Sequence, residues 1–288
     1  MADATTTQAT SLASAAAQHW ELPAPQLLRV SMSALYECGD MVLRVIRAGA
    51  PAAVRSLELA ELLAAHGIRV PLPARDDVVA DGELAATAWH RLVSVDKEPD
   101  WRELGRMVAE VHAIDARSLP TGESLPPCES FPWWHFDERL AEVDGALDVR
   151  ARAGLVDAIE RHAGWTERVE RVVCHGDVHP GNVMMTADGA TLLDWDMLCA
   201  GPPAWDHAML LRLARWGWPR RWYDEFAAGY GRSLAGEPTA DALAELRLVA
   251  ATLMRLRAGL ADPSAMPEAQ LRLAYWRGDP NAPVWTAV

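Results

Sequence analysis

Between Val172 and Asp196, three short apolar runs bracket a loop that cannot become a helix. Val172-Val173-Cys174 leads into His175-Gly176-Asp177-Val178-His179-Pro180-Gly181-Asn182, and Val183-Met184-Met185 and Thr191-Leu192-Leu193 flank Asp188-Gly189. An Asp-Gly step between two apolar runs is a strong hairpin signal, since it supplies the backbone conformations of a tight turn. Gly176, Pro180 and Gly181 exclude an extended helix, so the loop folds back and aims Asp177 and Asn182 at one place. Hairpin pairing then brings Asp194, in Asp194-Trp195-Asp196, beside Asn182.

This β island sits inside a helical half. After Pro99, Leu104, Met107, Val108 and Val111 recur at helical spacing, and similar patterns cover 133–146, 151–164, 205–216, 219–232 and 239–260. The last carries Leu246, Val249, Ala250 and Leu253 on one stripe. The first third reads differently. Leu27-Leu28-Arg29-Val30 and Met41-Val42-Leu43-Arg44-Val45-Ile46 are strand-like, with the turn Cys38-Gly39-Asp40 between them. Val54 to His66 forms a helix presenting Val54, Leu57, Leu59, Leu62 and Leu63, which Gly67 stops. Val78-Val79 and Ala85 to Val93 add strands. Residues 1–18, small and polar, are expected to be a flexible tail, followed by a β-rich lobe over 19–94 and a mostly helical lobe over 95–288.

With 288 residues, half of them hydrophobic, the chain can bury a large core in one domain or two lobes. A net charge of −13 removes the basic footprint that sequence-independent nucleic-acid binding needs, so no nucleic-acid partner is expected. No apolar run is long enough to span a membrane, and the opening residues lack a signal peptide's basic start and apolar run, so a soluble cytoplasmic protein is expected. Cys38, Cys128, Cys174 and Cys199 form no C-x-x-C pair and read as buried thiols. Lys97 is the single lysine among 27 basic residues.

A carboxylate and an amide oxygen converging as Asp194 and Asn182 do are the hard ligands Mg²⁺ prefers. Asp177, kept off the metal, is left to accept a proton from a hydroxyl. The spacing H-G-D-x-H-P-G-N followed by L-L-D-W-D resembles the aminoglycoside phosphotransferase family of protein-kinase-like small-molecule kinases, over about residues 20 to 275. The resemblance implies a two-lobed α+β fold, with a small amino-terminal sheet lobe carrying one helix and binding the nucleotide, and a larger helical lobe carrying catalysis and the acceptor. It implies ATP or GTP with Mg²⁺ as cofactors and a small-molecule hydroxyl as acceptor. By position, Asp177 matches the catalytic base and Asn182 and Asp194 the metal ligands. His175 matches a residue bracing the loop, and Asp206 the helix-start aspartate that bonds its backbone.

The amino-terminal lobe departs from the pattern. Arg44 stands where the family has a lysine, with Glu58 as the expected partner and Glu61 as its rival. Arginine keeps the charge and binds phosphate through two nitrogens. Ser31 and Ser33 occupy the loop over the phosphates, and Ala88 to Leu92, including His90 and Leu92, is expected to meet the base as a hinge. Acceptor amines are expected to meet Asp196, Asp137, Glu138, Asp224 and Glu225, and Trp218 is a candidate pocket wall. A phosphotransferase acting on an antibiotic such as an aminoglycoside is the leading reading. A metabolic kinase of choline, homoserine or sugar type remains open, as does a weakly catalytic nucleotide-binding pseudokinase with a regulatory role. Zinc hydrolysis by His175, Asp177 and His179 lacks a second ligand cluster.

Overall fold

The computed structural model describes residues 2–30, 33–120, 125–166 and 169–286. The chain forms two compact units. One comprises Met1–Asp100, Arg117–Ser124 and Val183–Leu193, and the other Trp101–Ala116, Leu125–Asn182 and Asp194–Val288.

The first unit is built on an antiparallel sheet of five strands in the order β1-β2-β3-β5-β4. These are β1 (Gln26–Val30), β2 (Ala34–Cys38), β3 (Met41–Ile46), β4 (Val79–Asp81) and β5 (Leu84–His90). The turn at Gly39, with φ +67°, joins β2 to β3, not β1 to β3 as the spacing suggested. Strand β2 alternates as half-buried strands do, burying Ala34, Tyr36 and Cys38, but its apolar side is an alanine, a tyrosine and a cysteine, a weak pattern beside Met41–Ile46. Helix α2 (Gly49–Ala65) buries Ala53, Leu57, Ala60 and Leu63, while Val54 turns to solvent.

The first residues are not a flexible tail. They form α1 (Ala2–His19), so among the described residues this unit has two α-helices. Ala9, Leu12, Ala13, Ala16 and Ala17 recur at helical spacing and are buried with Tyr36, Leu43, Val45, Ala86 and Ala88 of the sheet. Alanine is the strongest helix former, and its methyls let a helix approach a sheet closely, yet it adds little apolar contrast to a sequence pattern. Trp20 fixes the helix end through Nε1–H to Asp77 Oδ1 at 2.7 Å.

The hairpin of β7 (Val183–Thr186) and β8 (Gly189–Leu192) belongs to this unit, not to the second as the boundary at 94/95 had it. Leu192 N–H donates to Arg69 O at 3.0 Å, Val95 N–H to Met185 O at 2.8 Å, and Arg69 Nε to Ala190 O at 2.9 Å. Backbone pairing across ninety residues or more is invisible to local spacing.

The second unit contains α3 (Trp101–Ala113), α4 (Phe136–Val143), α5 (Val149–Arg161), α6 (Ala204–His207), α7 (Arg221–Tyr230), α8 (Pro238–Ala261) and α9 (Met266–Trp276), with a two-stranded pair, β6 (Val172–Cys174) and β9 (Cys199–Gly201). Helix α8 is buried through Leu243, Leu246, Val249, Ala250, Leu253 and Leu256 and feeds two cores. One gathers Cys128, Cys174, Cys199, Trp134 and Trp205, and the other Leu155, Leu273, Trp216, Trp276 and Trp285. All four cysteines are buried free thiols. Among the described residues, no helix is long and apolar enough to cross a membrane.

Helices α3 and α7 touch at backbone distance. A Cβ on Gly105 would fall on the carbonyl oxygen of Phe226, and one on Gly229 on that of Arg102. Neither neighbour can swing away, since both are backbone. Gly105→Ala is therefore expected to destabilise the protein by about 3 kcal/mol in denaturant unfolding, whereas Gly145→Ala, with no neighbouring atom within 4 Å of the added methyl, should stay within roughly 0.5 kcal/mol of the parent.

Candidate active site

Strand β6 pairs antiparallel with β9, Cys174 opposite Cys199, and delivers the chain into the loop at His175. Gly176 takes φ +94°, and any side chain there would strike the carbonyl of Met197, so only glycine makes this turn. The two amides that open the loop point at one carboxylate. Asp206, 1% exposed on α6, accepts His175 N–H at Oδ2 and Gly176 N–H at Oδ1, both at 2.8 Å. His112 of α3 places Nε2 3.0 Å from the same Oδ2, and its Nδ1 lies 2.9 Å from the Tyr230 hydroxyl. Trp205 Nε1–H closes the turn on Gly176 O at 3.0 Å. Burial pushes the Asp206 carboxyl up, and the His112 hydrogen bond, charges and amide bonds outweigh it and hold it below the ordinary carboxylate range.

His175 is fully buried and braces the loop from within. Its Nδ1 accepts Asp177 N–H at 3.2 Å, and its ring meets Trp195 edge-on at 4.5 Å. The second half of the loop is a 3₁₀ turn, Pro180–Asn182, in which Asn182 N–H bonds His179 O at 3.0 Å. Asn182, 8% exposed, donates Nδ2 to Asp177 O at 2.9 Å and to Asp177 Oδ2 at 3.3 Å. Both bonds use its nitrogen, so the amide oxygen is the group left to give. Asp177 keeps about a third of its side chain exposed, 34%, with Arg247 Nη2 on Oδ1 at 2.7 Å and His179 Nε2 3.4 Å from Oδ2. Burial raises the Asp177 carboxyl, but the His179 hydrogen bond and the charges of Arg247, His179 and His175 bring it well below the usual range, so it is ionised at neutral pH.

The pairing Val183↔Leu192 puts Asn182 immediately before one strand of the hairpin and Asp194 two residues beyond the other. Asp194 sits in the left-handed region, φ +61° and ψ 75°, a conformation that aspartate tolerates better than most residues and that still stores strain. Among the described residues nothing hydrogen-bonds or pairs with its exposed carboxylate. An amide oxygen and an unpartnered carboxylate are hard donors and fit a hard divalent cation, whereas Oδ1 of Asp177 is held by the Arg247 guanidinium. A buried trio, His112, Cys174 and Asp206, also brings ligand atoms within 4.8 Å of one another. There the lone pairs are spent, because both imidazole nitrogens and both carboxylate oxygens already have partners and burial holds the Cys174 thiol far above its ordinary value.

The other expected site residues have their own surroundings. Arg44 on β3 has Nε 3.5 Å from Ser33 Oγ. Ser31 falls outside the described residues. The expected pair with Glu58 is not formed. Leu57 faces the core, so Glu58, a hundred degrees further round α2, points to solvent without an ion pair among the described residues, and Glu61 is exposed too. In the hinge segment, His90 N–H is spent on Leu72 O and Arg91 N–H on Asp40 O, which leaves the backbone of Leu92. Asp137 lines a surface groove with Asp144, Arg152 and Glu160, and Glu138 pairs with Arg139 at 3.2 Å. Asp224 lines a cavity of about 540 Å³ with Arg212, Arg215 and Arg220, and Glu225 faces Arg221 at 3.8 Å. Asp177 lines neither the groove nor the cavity, and Asp196 is two residues from Asp194 in sequence. Trp218 stacks on Trp216 at 6.1 Å and packs against a core. The sequence reading passed over Arg247 and His112. Arg247 interrupts the apolar stripe of α8, and that interruption was the available signal.

Residues 33–273 match the phosphotransferase enzyme family. The chain belongs to that family. An aminoglycoside 3'-phosphotransferase from Streptomyces ribosidificus is 36% identical over 142 residues, which cover 43% of this chain and 49% of the relative, so the match spans about half the length of that curated protein. Among solved structures, an amicoumacin kinase in complex with AMP-PNP, Ca²⁺ and Ami superposes with a TM-score of 0.66 at 16% identity, covering 88% of this chain and 87% of that one. A choline/ethanolamine kinase family protein from Mesorhizobium loti gives 0.63 at 16% identity, covering 96% and 95%. At such identities the likeness is one of fold, the protein-kinase-like α+β fold with an antiparallel amino-terminal sheet and a helical remainder.

Asp206→Asn leaves one oxygen for two amides and turns an NH₂ toward one of them. Thermal and denaturant unfolding should show a loss of about 3 kcal/mol at pH 7. Because the folded carboxyl is depressed, its contribution is present above the unfolded value near about 3.9 and is lost as pH falls through the folded one. The gap between parent and variant should therefore narrow below about pH 4.

Proposed function

We propose that this family member is a nucleotide-dependent O-phosphotransferase acting on a hydroxyl of a small molecule. The observation that carries the reading is the division of labour in one loop. Asp177 is ionised, oriented and not committed to a metal, while the Asn182 amide oxygen and the Asp194 carboxylate remain as hard donors. Asn182 and Asp194 would hold the Mg²⁺ of a metal–nucleotide complex, which supplies charge neutralisation on the phosphate oxygens when bound. Asp177 orients the acceptor hydroxyl and takes its proton as the acceptor oxygen bonds to the γ-phosphorus, and the bond to the bridging oxygen breaks to release the nucleoside diphosphate. In the amino-terminal unit, Arg44 supplies the cation for the α- and β-phosphates with Ser33 at its side, and the Leu92 backbone is left to meet the base.

The acceptor we favour is a polyhydroxylated, amine-bearing antibiotic of aminoglycoside type. Family membership, the Streptomyces relative and the net charge of −13, which steers cations, support that choice. ATP, or GTP in its place, is the donor and the cytoplasm the compartment. The absent Arg44–Glu58 pair favours one second reading, a nucleotide-binding protein of weak turnover. Incubation with Mg²⁺ and ATP or GTP against a panel of aminoglycosides, other antibiotics, choline, homoserine and sugars, read by mass spectrometry for an added phosphoryl group, separates the two. Failure across the panel with nucleotide binding intact would favour the second.

Asp177→Asn should lower kcat by a factor of about 10² to 10⁴ while nucleotide affinity stays within a few-fold, since the base touches no phosphate. Asp194→Ala removes the only anionic donor of the pair. Calorimetric titration of ATP at several Mg²⁺ concentrations should show that the metal dependence of binding disappears with activity.

A further inference from the structure

Helix α8 carries an arginine where its pattern calls for an apolar residue. Arg247 lies among Leu243, Leu246 and Ala250, and it is 6% exposed. Its guanidinium carbon stands 4.8 Å from the ring centre of Trp133 and 5.5 Å from that of Trp205, so two indoles pack over the cation. Nη2 donates to Asp177 Oδ1 at 2.7 Å and to Gly176 O at 3.2 Å, while Nε is buried with no partner among the described residues. Stability does not explain this choice. A buried ion pair is rarely worth more than an apolar side chain of the same volume, and an orphaned N–H makes it worth less.

The bonds it makes are specific to the loop's chemistry. Asn182 Nδ2 and His179 Nε2 approach Oδ2, the oxygen Arg247 leaves open, and Asp206 and Trp205 fix the backbone on either side of Gly176. We infer that Arg247 is a positioning residue for phosphoryl transfer, clamping Asp177 Oδ1 and the Gly176 carbonyl so that Oδ2 faces the acceptor hydroxyl. The inference rests on the reading of Asp177 as the base. The acceptor proton passes to Oδ2, and Arg247 exchanges none. A carboxylate freed to rotate presents neither oxygen reliably, and a misplacement of about 1 Å can lower a rate by about 10².

Arg247→Met keeps the packing between the two tryptophans without the clamp. In the intact protein, kcat should fall about 10²-fold with the KM for ATP within about three-fold of the parent and an unfolding midpoint at or above it. Arg247→Lys should recover about ten-fold of that loss, and guanidinium at tens of millimolar should restore turnover to Arg247→Ala while urea does not. A folded Arg247→Met with kcat within about three-fold of the parent overturns the inference. So does a loss shared equally by kcat and nucleotide KM, or, should Arg247→Met not fold, the absence of any guanidinium rescue. If the parent itself phosphorylates nothing, the functional reading falls. The unfolding equilibria of Asp177→Asn, Arg247→Met and the double variant would then still show about ten-fold non-additivity from the clamp, so the two failures are distinguishable.

Discussion

A carboxylate taken out of water must be compensated by donors, and in this protein those donors for Asp206 come from the loop that carries Asp177 and Asn182. The amides of His175 and Gly176 satisfy its two oxygens and His112 adds a third contact, so the strand β6, the helix α3 and the start of α6 are drawn to one point. Charge-assisted bonds of this kind contribute about 1.5–3 kcal/mol each. Gly176 can present its amide because it alone tolerates the turn, and Trp205, next to Asp206, seals the other side of the same peptide. Everything downstream starts from a backbone fixed at that step.

From there the loop separates its polar groups by bonding them to one another. His175 holds Asp177 by its amide, Asn182 spends its nitrogen on Asp177, and Arg247 takes one carboxylate oxygen. What remains outside the Arg247 contact is Oδ2 of Asp177, which meets Asn182 and His179 only at 3.3 and 3.4 Å, together with the amide oxygen of Asn182 and Asp194 in a left-handed conformation. The hairpin between the last two is packed with residues of the amino-terminal unit, through Arg69 and Val95. The thirteen residues from Asn182 to Asp194 thus carry a donor at either end, while the strands between them belong to the first unit.

Legibility in the sequence followed contact range. Strand β3 matches the expected Met41–Ile46, and α8 lies within two residues of its expected span, because periodicity declares both. The loop was read from glycine and proline alone, and Asp177 and Asn182 do meet. Strands β2 and β9 escaped because alanine, cysteine and glycine carry little pattern, and α1 escaped because its buried face is alanine methyls apart from Leu12. Glu58 failed for a simpler reason: a helix shows only one face to its neighbours, and Leu57 had already taken it. Arg247 and His112 act across 70 and 94 residues, and only the folded chain brings such distant positions together.

The proposed function requires Asn182 and Asp194 to form one cation site beside an Asp177 that stays off the metal. Paramagnetic broadening in ¹H–¹⁵N spectra of the protein with AMP-PNP, titrated with Mn²⁺, reads this without any acceptor. The side-chain amide of Asn182 and the backbone amides of Asp194 to Asp196 should broaden first, and Mg²⁺ should reverse it. Sharp Asn182 and Asp194 signals, with broadening instead along the acidic groove of Asp137, Asp144 and Glu160, would contradict it.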